Sequence, residues 1–144
     1  MAKLYDSDFY AWTVEQSKLL KQGNLELLDI ENLVEEIESL GRQEFRELVN
    51  RLKVLIGHLL KWQFQPEKRT RSWEITIRNQ RKEINQLISE NPSLKPRLSE
   101  AMTKGFDLGL DLAVLETGLD DEDFPVTCPY SLEQLLDPNF LPDK

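Results

Sequence analysis

Histidine and cysteine are almost missing from this chain: one of each, His58 and Cys128, in 144 residues. A lone cysteine excludes an internal disulfide, argues against a Cys-based metal site and suits a reducing compartment. One histidine cannot supply the two Glu-x-x-His motifs of a di-iron bundle, although Glu35-x-x-Glu38 and Glu44-x-x-Glu47 are present. Long apolar runs are missing too, so nothing approaches the ~20 residues of a membrane span. The opening MAKLYDSDFYAW has neither the basic start nor the apolar stretch of a signal peptide, and neither end carries a lipidation motif. We expect a cytoplasmic protein with no membrane contact. Strand signals are scarce, with no alternating β-branched run and no Asn-Gly or Asp-Gly turn. There is no glycine-rich phosphate loop, nucleophile elbow or zinc motif. Asp120-Asp121-Glu122-Asp123 lacks the spacing and glycine of a calcium loop and reads as a solvated turn. No metal and no cofactor is expected.

What is present is helical rhythm. Hydrophobic residues make up 40% and charged residues 31%, a balance of folded rather than disordered chains. The length suits one domain, residues 1–144. Ile30, Leu33, Ile37, Leu40, Phe45, Leu48, Leu52, Leu55, Leu59 and Trp62 recur at close to the helical period. The one irregular step spans Gly41, where either one helix bends or two helices meet; a single bent helix is the preferred reading. The pattern predicts helices over about 7–22, 30–65, 72–91, 95–117 and 132–136. Asp6 or Ser7 caps the first and Gly23 ends it; Asp29 caps the second, Ser72 the third, and Ser131-x-x-Gln134 forms a capping box for the last. The expected fold is an all-α antiparallel bundle of four to five helices with a C-terminal arm carrying a short helix.

Net charge is −8, unevenly spread: −4 over residues 1–60, +5 over 61–82 and −9 over 83–144. The central segment holds Lys61, Lys68, Arg69, Arg71, Arg78, Arg81 and Lys82, with Trp62, Phe64 and Trp73 interleaved. One reading is a contact surface for nucleic acid or phosphate, or for an acidic partner protein, built from Lys61, Arg71, Trp73, Arg78, Arg81 and Lys82. The other is internal pairing with Glu31, Glu35, Glu38, Glu44 or Glu47, since acids are in excess.

Two further residues break local rules. His58 lies beside the apolar seam, as a general base or as a hydrogen-bonded, half-buried histidine near Trp62. Glu116 continues the apolar stripe Leu98, Met102, Phe106, Gly109, Ala113 and needs either a partner or an exposed helix end. His58 and Glu116 are the catalytic candidates of a hydrolase-like or nuclease-like alternative, with Arg78 as an electrophilic stabiliser. Gly105, Gly109 and Ala113 recur every four residues and point to close helix packing, with a dimer face or ligand groove as the other reading. A purely structural, oligomerising domain is the third functional reading.

Several short motifs stand in a definite order: Glu35-Glu36-Ile37 with Leu40-Gly41, His58-Leu59-Leu60-Lys61-Trp62, Ser72-Trp73, Glu116-Thr117-Gly118-Leu119, Phe124-Pro125 and Cys128-Pro129-Tyr130. With these, the chain from about residue 4 to 142 resembles the bacterial domain-of-unknown-function family twenty-nine, common in cyanobacteria. The resemblance implies an all-helical, stand-alone bacterial domain and no particular activity. It marks His58, Trp62, Trp73 and Glu116 as signature positions. Together these readings favour a binding or regulatory module, not an enzyme.

Overall fold

Helix ends are set by side chains that satisfy the free backbone groups there, and these ends organise the computed structural model, which describes residues 4–143. Among the described residues the structure is helical, with no strand. The chain clusters into two compact units, Met1–Arg42 and Gln43–Lys144.

In the first unit, α1 (Leu4–Ser7) and α2 (Phe9–Lys21) are separated at Asp8. The sequence predicts one helix capped by Asp6 or Ser7. Instead Asp8 leaves the helical region (φ −151°, ψ 84°), and its carboxylate accepts the Ala11 N–H at 3.1 Å. A carboxylate at this position satisfies an orphan donor, so the chain restarts there. Gly23 ends α2 in the left-handed region at φ +71°, as predicted. A short 3₁₀ turn, Leu25–Leu27, leads to α3 (Ile30–Phe64). Asp29 accepts the Trp12 indole N–H at 3.0 Å and the Asn32 amide at 2.8 Å, and its own N–H donates to Gln16 Oε1 at 2.8 Å. The Tyr5 hydroxyl donates to Glu36. That hydrogen bond to a carboxylate holds the phenol up at about 12. These contacts run α2 antiparallel to the start of α3.

α3 is one continuous helix of 35 residues. Its apolar period is regular, but its burial is not. Ile30, Ile37 and Leu40, read from the sequence as part of the covered seam, are 57%, 65% and 61% exposed. From Phe45 onward the seam is covered: Leu48, Leu52, Leu55 and Leu59 are fully buried.

That buried part belongs to the second unit, with α4 (Arg71–Glu90), α5 (Leu98–Thr117) and α6 (Leu132–Leu136). Thr70, not Ser72, caps α4, its hydroxyl accepting the Trp73 N–H at 3.1 Å. Pro92–Arg97 form a 3₁₀ segment with Pro96 inside it, which delays α5 to Leu98. Asn91 at the end of α4 bonds Glu44, whereas Trp73 at its start faces Lys61. α4 is therefore antiparallel to α3. α5 runs back beside α3, and the two meet at their glycines. A Cβ on Gly109 would lie 2.9 Å from the Lys53 carbonyl oxygen and 3.1 Å from the Gly57 nitrogen. A Cβ on Gly105 would lie 2.8 Å from Leu52 Cβ. The Gly105–Gly109–Ala113 spacing thus serves internal packing. The arm closes over this bundle through a Tyr130 hydroxyl bond to Gln63 at 2.8 Å and an edge-on Phe64–Phe124 contact.

The glycines separate by this test. Gly109→Ala, which meets rigid backbone, should lower unfolding free energy by about 1–3 kcal/mol. Gly41→Ala, with nothing within 4 Å of the new methyl, should raise it by up to ~1 kcal/mol. Urea denaturation of both variants measures the difference; equal effects would contradict the close crossing of α3 and α5.

Candidate functional site

The glycine crossing aligns the last turns of α3 with the end of α5, and a buried charge sits there. Lys61 is 5% exposed. Its ammonium donates to Glu116 Oε1 at 2.5 Å and lies 4.6 Å from the centre of the Trp73 ring. Ion pair and ring face together compensate a cation that burial alone would penalise. Glu116 therefore has the partner that its place on the apolar stripe demands.

His58 lies one turn before Lys61. Its Nδ1 is 2.9 Å from the Val54 carbonyl oxygen, so Nδ1 carries the proton and donates. Burial holds the imidazole below its usual value, and the Lys61 charge pushes the same way. The Val54 bond and the Glu116 charge oppose them. The outcome is a neutral imidazole with Nε2 as its lone-pair nitrogen.

Two arginines of the basic segment are spent on helix ends. Arg69 donates Nε–H to the Trp62 carbonyl at 2.8 Å, and its guanidinium lies 4.8 Å from the centre of the Trp62 ring. Arg81, 2% exposed, donates to the Leu135 and Gln134 carbonyls at 2.9 and 3.0 Å. Carbonyls in the last turn of a helix have no internal donor, and a cation there also suits the helix dipole. Burial lowers the Arg81 pKa and nearby Asp137 counters it. Pairing with the glutamates of α3 is not what occupies these arginines: Glu35 meets Arg42 and Glu47 meets Arg51.

Beside Arg81 a cleft of about 360 Å³ opens, lined by Arg71, Glu74, Ile75, Ile77 and Arg78 of α4 and by Pro138, Asn139 and Leu141 of the arm. Arg71 and Arg78 are exposed and have no acid within 4 Å among the described residues.

The sequence-derived residues thus fall into two groups. His58, Lys61, Trp73 and Glu116 gather at the α3–α5 end. Arg71, Arg78 and Arg81 line the cleft, and Lys82 is exposed outside its lining. The cleft that holds Arg78 takes no lining residue from His58 or Glu116. Sequence reasoning missed the arm's part in the cleft and the carbonyl bonds of Arg81. A five-residue helix facing an arginine-bearing one was the available signal. Among the described residues, no three His, Cys, Asp or Glu side chains converge as metal ligands would. No helix among them is long and apolar enough to cross a membrane.

A family described as a domain of unknown function, DUF29, matches residues 4–141. The chain belongs to DUF29. No curated protein and no solved structure matches it. Membership in DUF29 accounts for nearly the whole chain and brings no activity with it, so the chemistry must be read from the side chains.

Two expectations follow for this DUF29 domain. Glu116→Gln leaves the Lys61 ammonium buried with only a ring face, and should cost about 1–3 kcal/mol. Lys61→Met leaves a carboxylate whose side chain is 41% exposed and can turn to water, so it should cost less. Urea melts rank the two, and the reverse order would contradict the geometry. His58 is held neutral in the fold, so as pH falls from about 7 to 5 the unfolded chain takes up the proton first. Stability should drop across that window, and His58→Gln should remove this part of the drop; an identical pH profile would refute it.

Proposed function

We propose that this protein is a non-enzymatic binding or regulatory module that holds a phosphate or carboxylate group in the cleft of Arg71, Arg78 and Arg81. One observation carries the reading. In a chain with 26 acids against 18 lysines and arginines, Arg71 and Arg78 share a cleft and neither has an acid within 4 Å. With acids in excess, unpaired guanidiniums on one face are a cost unless an outside anion meets them. Their planar donors suit two-point recognition of phosphate or carboxylate.

The surroundings favour a compact anion over a nucleic-acid track. About 360 Å³ is near the lower end of small-ligand sites. Ile75, Pro138 and Leu141 give an apolar wall for an organic portion, and Glu74 limits the negative charge accepted. An acid–base enzyme on His58 and Glu116 draws less support, because Glu116 is committed to Lys61 and His58 Nδ1 to its own helix.

Fluorescence anisotropy tests the proposal with three labelled probes across a salt series: a nucleoside triphosphate, a short single-stranded oligonucleotide and an acidic peptide. We expect the nucleotide or the peptide to bind at low salt. Arg71→Glu with Arg78→Glu should weaken that binding by at least about tenfold. If the oligonucleotide binds instead, the double variant should flatten its salt slope by about 2. No binding of any probe at low salt, or binding unchanged by the double variant, overturns the reading.

A further inference from the structure

The helical hairpin that ends at Arg42 exposes more apolar surface than it covers. Eleven of the fourteen exposed large hydrophobic side chains among the described residues fall within it. Trp12 is its one large hydrophobic side chain that is buried. On α3 the exposed residues form a stripe: Ile30, Val34, Ile37 and Leu40 at 57%, 47%, 65% and 61%. Their spacing of four, three and three puts them on one face. Single exposed hydrophobics are ordinary, but a contiguous helical stripe marks a contact surface.

We propose that this stripe is the interface of a symmetric dimer, its occupant the same hairpin of a second copy. The charges beside it argue for a second copy. Glu31 and Glu38 lie along one side of the α3 stripe, and Lys18 and Lys21 project from α2. None of the four has an ion-pair partner in its own chain. A foreign helix of one charge sign would satisfy one of these rims and repel the other. A two-fold axis sets each copy's acidic rim against the other's basic rim, as self-complementary interfaces require. Two hairpins paired in this way make a four-helix layer with the stripes inside.

The area is of the right size. The four stripe side chains with Leu27 expose on the order of 500 Å², the larger part of the ~800 Å² that each partner buries in a stable interface. The charged rims supply the remainder. None of the residues in this interface lines the arginine cleft, so the dimer and the anion site stand or fall separately.

Light scattering on the whole chain is the test. We expect twice the 16.8 kDa chain mass. Val34→Glu and Ile37→Glu each change an exposed side chain, so each should give a monomer with the helical circular dichroism retained. Two charge reversals sharpen the result. Lys18→Glu with Lys21→Glu should weaken the dimer, as should Glu31→Lys with Glu38→Lys, while an equimolar mixture of the two proteins should recover it. The proposal is overturned by a wild-type mass of one chain at every concentration, by a dimer that survives both Val34→Glu and Ile37→Glu, or by a mixture that stays monomeric.

Discussion

The approach of α3 to α5 is the constraint on which the second unit depends. Gly57 and Gly109 let the two helices meet at backbone distance, with a leucine rather than a methylene filling the space at Gly105. An interhelical distance set by backbone leaves little freedom to slide, because any shift drives a carbonyl into a Cα. The register then follows. Lys61 lies one turn beyond Gly57, and Glu116 two turns beyond Gly109, so cation and carboxylate arrive opposite each other. The ion pair is a consequence of the glycines as much as of its own attraction. This is why a buried ammonium is tolerable here: its partner is held in place by packing and pays no further ordering entropy.

The same logic of satisfied ends explains why the basic segment divides. Every helix leaves carbonyls without donors at its C-terminus. Arg69 takes one at the end of α3, and Arg81 takes two at the end of α6. A guanidinium serves well because it offers several fixed donors from one side chain, where a lysine offers a single charged point. Once those two are committed, the remaining cations are a residue of the accounting rather than a diffuse positive patch. Arg71 and Arg78 stand out because the fold has no use for them, and because the arm that Arg81 anchors forms the far wall of their cleft. The structural arginine and the two free ones are thus parts of a single arrangement.

How much of this the sequence disclosed depended on whether a feature was local. Helix content, the Gly23 and Gly118 ends and the Ser131–Gln134 box are decided within a few residues, and they were legible. Glu116 was legible as an anomaly, since an acid on an apolar stripe needs a reason, but its partner was not, because Lys61 lies 55 positions away. Competing caps were misread where two good capping residues stood close together. Asp8 displaced Asp6 and Ser7, and Thr70 displaced Ser72; the choice turns on where the chain enters the helix, which tertiary contacts decide. Arg81 looked like one more surface cation, because nothing local distinguishes a guanidinium that reaches two carbonyls from one that reaches water.

α3 shows the limit most directly. Its apolar residues keep one rhythm from Ile30 to Trp62, and rhythm was read as burial throughout. In the structure the rhythm continues across Gly41 while the cover stops: Ile37 and Leu40 are largely exposed, and Leu48 and Leu52 are sealed. Periodicity records that a face is selected for contact with something apolar, and is silent about whose chain supplies the contact. A helix that lay in water along one half would gain nothing from isoleucine and valine on that half, where glutamate and lysine are equally good helix formers. The exposed half keeps its aliphatic stripe and places its acids to the side. A contact outside the chain is the physical condition under which that pattern is favourable, and the unpaired rims of opposite sign make a second copy the occupant that fits it.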